Sequence, residues 1–113
     1  MKTYFCYIEY FATGEGLTFS MGIVFARDKK SATRKFCEKY MCSESIDNKI
    51  LNDCVSYFSP ATKVYDLKNK KENIAIRNIM KDFFTEKVID HTLDATKNGA
   101  LMDFYYNSYV NYS

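Results

Sequence analysis

Residues 3–12 read as a two-sided strand, and along residues 17–26 large residues alternate more cleanly with small or polar ones. In the first run Tyr4, Cys6, Ile8 and Tyr10 fall on one side, and Phe5, Tyr7, Glu9 and Phe11 on the other. In the second, Leu17, Phe19, Met21, Ile23 and Phe25 alternate with Thr18, Ser20, Gly22, Val24 and Ala26. A period of two is the mark of a strand, whose successive side chains point to opposite faces. Ala12-Thr13-Gly14-Glu15-Gly16 joins the runs, so the pattern predicts an antiparallel hairpin with a loop of about four or five residues. Gly14-Glu15-Gly16 also invites a phosphate-binding reading. A dinucleotide fingerprint, however, needs a third glycine where Phe19 stands and a helix after it, and a P-loop needs Gly-Lys-Ser/Thr. A strand pattern follows instead, so the glycines are read as a turn.

The period then lengthens. Asp28 is a suitable N-cap, and Ala32, Phe36, Cys37, Tyr40 and Met41 form one apolar stripe of a helix over residues 29–41. Its other side carries Lys29, Lys30, Arg34, Lys35 and Lys39. Residues 43–53 read as a loop with one or two helical turns. A third strand is predicted over residues 55–59, interrupted by Pro60 and so an edge or a bulge, with residues 62–67 continuing it. After a charged turn at residues 68–72, helical spacing runs over residues 73–84 and resumes through Val88, Ile89, Thr92 and Leu93 to a C-terminal signal at Asn98-Gly99. The tail from Ala100 alternates again and predicts a fourth strand. The order ββαβαβ over one domain, residues 1–113, points to an α+β fold: two layers, a mainly antiparallel sheet of about four strands, and helices packed on one face.

Composition changes this picture at two points. Ten tyrosines and nine phenylalanines are more than a core of this size absorbs, so several tyrosines are expected at the surface, where Tyr favours binding interfaces. The abundance of Lys, Asn, Ile, Tyr and Phe is equally the bias of an AT-rich genome. Cys6, Cys37, Cys42 and Cys54 lie within apolar patterning, and Met1-Lys2-Thr3 leads into an aromatic run without an export signal. Four reduced thiols and a cytoplasmic location are therefore expected. No apolar run approaches the roughly 20 residues that span a bilayer.

Catalytic and metal motifs are weak. Cys37 and Cys42 are five positions apart, outside the usual zinc spacing, with Cys54 and His91 scattered beyond them. His91 is the sole histidine and sits among acids in a helical pattern. Glu9 and Asp103 each interrupt an aromatic strand face, but read most simply as solvent-side residues. No catalytic residue, metal ligand or cofactor is assigned, and a non-enzymatic protein is expected.

Charge says more than any single motif. Residues 27–39 and 63–81 each carry a net of +4 and residues 82–103 a net of −3, whereas the whole chain is only +2. The molecule is polarised rather than uniformly basic. Lys29, Lys30, Arg34 and Lys35 are the candidates for contact with phosphates or an acidic partner. Phe5, Tyr7 and Phe11, with Tyr105 and Tyr109, are expected to share an open sheet face and bind a partner there. The leading expectation is a small cytosolic binding protein acting through this aromatic and charged surface on a larger protein partner, in the manner of an accessory or inhibitor protein of a phage or mobile element. Single-stranded nucleic-acid binding, with Phe5, Tyr7 and Tyr105 stacking bases, is the first alternative. A small nucleotide-like ligand at a homodimer seam is the second. No membrane partner is expected.

Overall fold

The two alternating runs pair along their whole length, from Lys2 opposite Ala26 to Tyr10 opposite Thr18, making strands β1 (Lys2–Tyr10) and β2 (Gly16–Ala26). The computed structural model describes residues 1–11, 16–44, 47–97 and 104–111; the loop residues 12–15, the helix end at Asn98-Gly99 and Asp103, singled out above, lie outside them. Two further strands, β3 (Lys63–Asp66) and β4 (Tyr105–Asn111), complete an antiparallel sheet in the order β3-β1-β2-β4. Four α-helices are described: α1 (Lys29–Phe36), α2 (Asn48–Phe58), α3 (Lys70–Met80) and α4 (Glu86–Lys97). The α+β class follows. None of these helices is long and apolar enough to cross a membrane.

Three expectations are corrected. First, helices cover both faces of the sheet, not one. Tyr4, Cys6 and Ile8 pack with Val24 and Ala26 against Ala32, Phe36 and Cys37 and against Val55 of α2. On the other face Phe5, Tyr7, Met21 and Ile23 pack against Ile76, Met80, Ile89 and Leu93 of α3 and α4. The reason is visible in β1, where every residue from Thr3 to Ile8 is buried. A strand apolar on both sides needs a layer on each.

Second, residues 55–59 are helical. Ile50, Leu51, Cys54, Val55 and Phe58 make a helical stripe in α2, and the Asp47 side chain caps it by accepting from the Ile50 N–H at 2.8 Å. Pro60 falls in a short 3₁₀ turn, Ser59–Ala61, where its missing N–H costs little. The expected continuation at residues 62–67 is the real β3, an edge strand. A break at Thr85, whose hydroxyl accepts from the Val88 N–H, separates α3 from α4. The order is therefore ββααβααβ.

Third, the cysteines are not all thiols. Once α2 folds back on the segment after α1, Cys42 and Cys54 lie with Cα atoms 6.0 Å apart and form a disulfide. Cys6 and Cys37 remain free and buried. The thiol count thus stops arguing for a reducing compartment.

Candidate functional site

Strand register decides where the aromatic residues go. Tyr7 lies opposite Met21, which lies opposite Tyr106, so these three share the α3–α4 face. Tyr105 lies opposite Gly22 and Tyr109 opposite Thr18, on the α1–α2 face. The five expected partner-binding residues therefore do not form one surface. Phe5 is fully buried and Tyr7 only 6% exposed, both in the core beneath α3 and α4. The Tyr7 hydroxyl donates to Glu9 Oε1 at 2.7 Å, and burial together with that carboxylate pushes the phenol's pKa up. Base stacking by Phe5 and Tyr7 is excluded by this burial. Phe11 is exposed beyond the end of β1, and Tyr105 and Tyr109 are exposed on β4.

Around β4 the α1–α2 face stays partly open. The small residues of β2 make room there. A Cβ on Gly16 would fall 2.0 Å from the Tyr109 hydroxyl, so the ring occupies the space a side chain would need. Gly16 is thus glycine for this close approach. Ser20 Oγ donates to Asn107 Oδ1 at 2.7 Å. A π-helical turn, Cys37–Met41, extends α1 and places the Tyr40 ring flat on Tyr105.

The cations gather elsewhere. β2 and β3 both run antiparallel to β1, so they end at the same side of the sheet, where α1 and α3 begin. An ion pair between Lys29 and Glu72 links the two helix starts and brings the two basic stretches together. Asp28 caps α1 by accepting from the Ser31 N–H at 2.8 Å; that hydrogen bond, helped by Arg27, holds its carboxyl below the ordinary value. Beside it an open groove of about 630 Å³ runs between α1 and the C-terminal end of α2. Arg27, Lys30 and Arg34 line it, facing Val55, Ser56, Ser59 and Pro60. Arg34 is held in place by Glu38 at 2.6 Å and by Asn52 Oδ1 at 2.8 Å.

Of the four expected cations, then, Lys30 and Arg34 share the groove. Lys29 is engaged by Glu72, and Lys35 donates to the Phe25 carbonyl at 2.6 Å. Sequence reasoning missed Arg27, although its place just before the N-cap Asp28 marks it as part of the same helix start. It also missed the α2 wall, since residues 55–59 read as a strand.

The remaining titratable groups build no catalytic arrangement among the described residues. Burial pushes the Cys6 thiol up, with Cys37 adding to it, and Cys37 is raised mainly by its own burial. A thiol held protonated is a poor nucleophile. His91 is exposed on α4, next to an Asp90 paired with Arg77 at 2.6 Å. No group of three or more His, Cys, Asp or Glu among the described residues is placed to hold a metal ion. No family model, curated protein or solved structure matches the chain. Function is therefore argued from the site itself.

Proposed function

We propose that this is a small binding protein that takes an acidic segment of a larger protein partner into the groove between α1 and α2. The observation that carries the reading is the groove's lining, with three cationic side chains along one rim and, among the described residues, a single acid, Asp28, which caps a helix and pairs with Arg27. Arg34 is pre-oriented by Asn52 and Glu38, so less side-chain entropy is lost when a carboxylate arrives. Exposed Pro60 adds apolar surface to the opposite wall, which suits a peptide carrying both carboxylates and an aliphatic side chain. A single strand of nucleic acid would want aromatic platforms beside the cations, and no aromatic residue among those described lines this groove. In this role the protein acts by occupying its partner's surface and needs no catalytic group.

The test is affinity capture on the immobilised protein from an extract of its source, with wild type compared to a Lys30→Glu/Arg34→Glu double variant at matched thermal stability. A protein retained by wild type, lost by the variant and released as salt rises supports the proposal. Equal capture by both, or recovery of nucleic acid in place of protein, overturns it.

A further inference from the structure

The two edges of the sheet are built differently. β3 is four residues long, begins and ends with the charged Lys63 and Asp66, and follows Pro60. Short length, charge and a nearby proline are the usual guards against edge-to-edge pairing. β4 has none of them. Its seven residues, YYNSYVN, carry no charge and no proline, and Tyr105, Tyr109 and Val110 are all more than a third exposed. Among the described residues no strand or helix pairs with its outer side.

The hydrogen-bonding parity of that outer side follows from one contact. The Ile23 N–H donates to the Phe104 carbonyl at 3.1 Å, in register with the β2–β4 ladder. In an antiparallel ladder hydrogen-bonded and non-hydrogen-bonded pairs alternate. Phe104, Tyr106, Ser108 and Val110 therefore turn their backbone groups toward β2. Tyr105, Asn107, Tyr109 and Asn111 turn theirs outward, to a free edge.

We propose that this edge pairs with β4 of a second copy of the chain, antiparallel and about a two-fold axis at Ser108, giving one continuous sheet across the dimer. A two-fold contact uses the same patch on both copies, so the patch must suit itself. Centred on Ser108, Tyr105 faces the second copy's Asn111, and Asn107 faces its Tyr109. All four outward-turned residues are matched, for about eight main-chain hydrogen bonds. On the α3–α4 face Tyr106 falls beside the second copy's Val110, covering apolar surface that is exposed in the single chain. No like charges meet, because the strand has none. The contact is narrow, so the dimer is weak and depends on concentration. It shares no residue with the α1–α2 groove. A dimer would therefore present two grooves, and a partner with two acidic segments would gain avidity.

The experiment uses the full chain. Light scattering behind size exclusion should give a mass that rises from monomer toward dimer with concentration. Ser108→Cys should cross-link two chains under mild oxidation, because non-hydrogen-bonded partners have Cα atoms only about 4.5 Å apart. Asn107→Cys, displaced from its own copy in this register, should cross-link far less. Ser108→Lys opposes two like charges at the axis and should weaken dimerisation about tenfold. A monomer at every concentration, with Ser108→Cys cross-linking no better than Asn107→Cys, overturns the proposal. So does a dimer unaffected by Ser108→Lys and lacking the cross-link, since its seam must then lie elsewhere. The cross-link needs no folded variant at the charged position, so misfolding of Ser108→Lys leaves the test standing. Either outcome leaves the groove reading to its own test.

Discussion

The ring of Tyr40 lies flat on the ring of Tyr105, centroids 4.2 Å apart and planes 6° from parallel. This contact ties the π-helical turn after α1 to the edge strand β4, whose other face packs Tyr106 against Phe83 and Phe84. Truncating Tyr40→Ala should cost about 1–2 kcal/mol and loosen the edge more than the centre of the sheet. Hydrogen exchange checks this: the β4 amides facing β2, at Tyr106, Ser108 and Val110, should lose protection while those of β1 keep theirs.

The Tyr40 hydroxyl is buried without a hydrogen-bond partner among the described residues. Leaving a polar group unsatisfied costs its desolvation, and removing it recovers that cost. Tyr40→Phe should therefore leave stability unchanged or raise it by up to about 1 kcal/mol, which thermal melts of the two proteins will decide.

Tyr7 looked like a surface residue and belongs to the core. Tyr7→Ala leaves a cavity between β1 and the α3–α4 layer, so it should destabilise by about 3 kcal/mol or more. Denaturant unfolding measures the loss. A change below about 1 kcal/mol would place Tyr7 outside the core.

The Cys42–Cys54 disulfide closes a loop with a sequence separation of 12. In the chain-entropy account such a loop restricts the unfolded chain, and reducing it should lower stability by about 3 kcal/mol. Melts with and without reductant, repeated on a Cys54→Ala variant, separate this from any effect on buried Cys6 and Cys37.

High pH acts on both core layers, through Cys6 on one face of the sheet and Tyr7 on the other. Burial raises the folded-state pKa of the Cys6 thiol and the Tyr7 phenol above their ordinary values. For a raised pKa the stabilisation is fully present below the unfolded value, and it is lost as pH climbs toward the folded one, because the unfolded chain ionises first. Stability should fall from about pH 8.5 upward. Cys6→Ala should flatten the early part of that decline.

Much of the scaffold is legible in the sequence, for identifiable reasons. The hairpin follows from two β-rich runs, the second cleanly alternating, joined by a glycine-containing turn, and α1 from Asp28 and its apolar stripe. Two errors share one cause. Val55-Ser56-Tyr57-Phe58 is rich in strand-favouring types, yet its tertiary contacts continue the stripe of Ile50, Leu51 and Cys54, and packing overrides local preference. Missing α2 removed one wall of the groove and the turn that pairs the cysteines. Phe5 and Tyr7 read as open-face residues because Glu9 makes that side of β1 look polar. In the fold Glu9 sits at the strand's exposed end and accepts the Tyr7 hydroxyl. The groove itself depends on the approach of two helices about twenty residues apart, which no local pattern encodes.

The central claim is that the α1–α2 groove binds acidic protein segments. It is tested most directly by nuclear magnetic resonance titration of the isotopically labelled protein with a short peptide alternating glutamate and leucine. The account predicts saturable shifts concentrated at Arg27, Lys30, Arg34, Ser56 and Ser59, abolished by the Lys30→Glu/Arg34→Glu double variant and weakened by salt. Shifts scattered over all basic residues, or none in the groove at millimolar peptide, would contradict it.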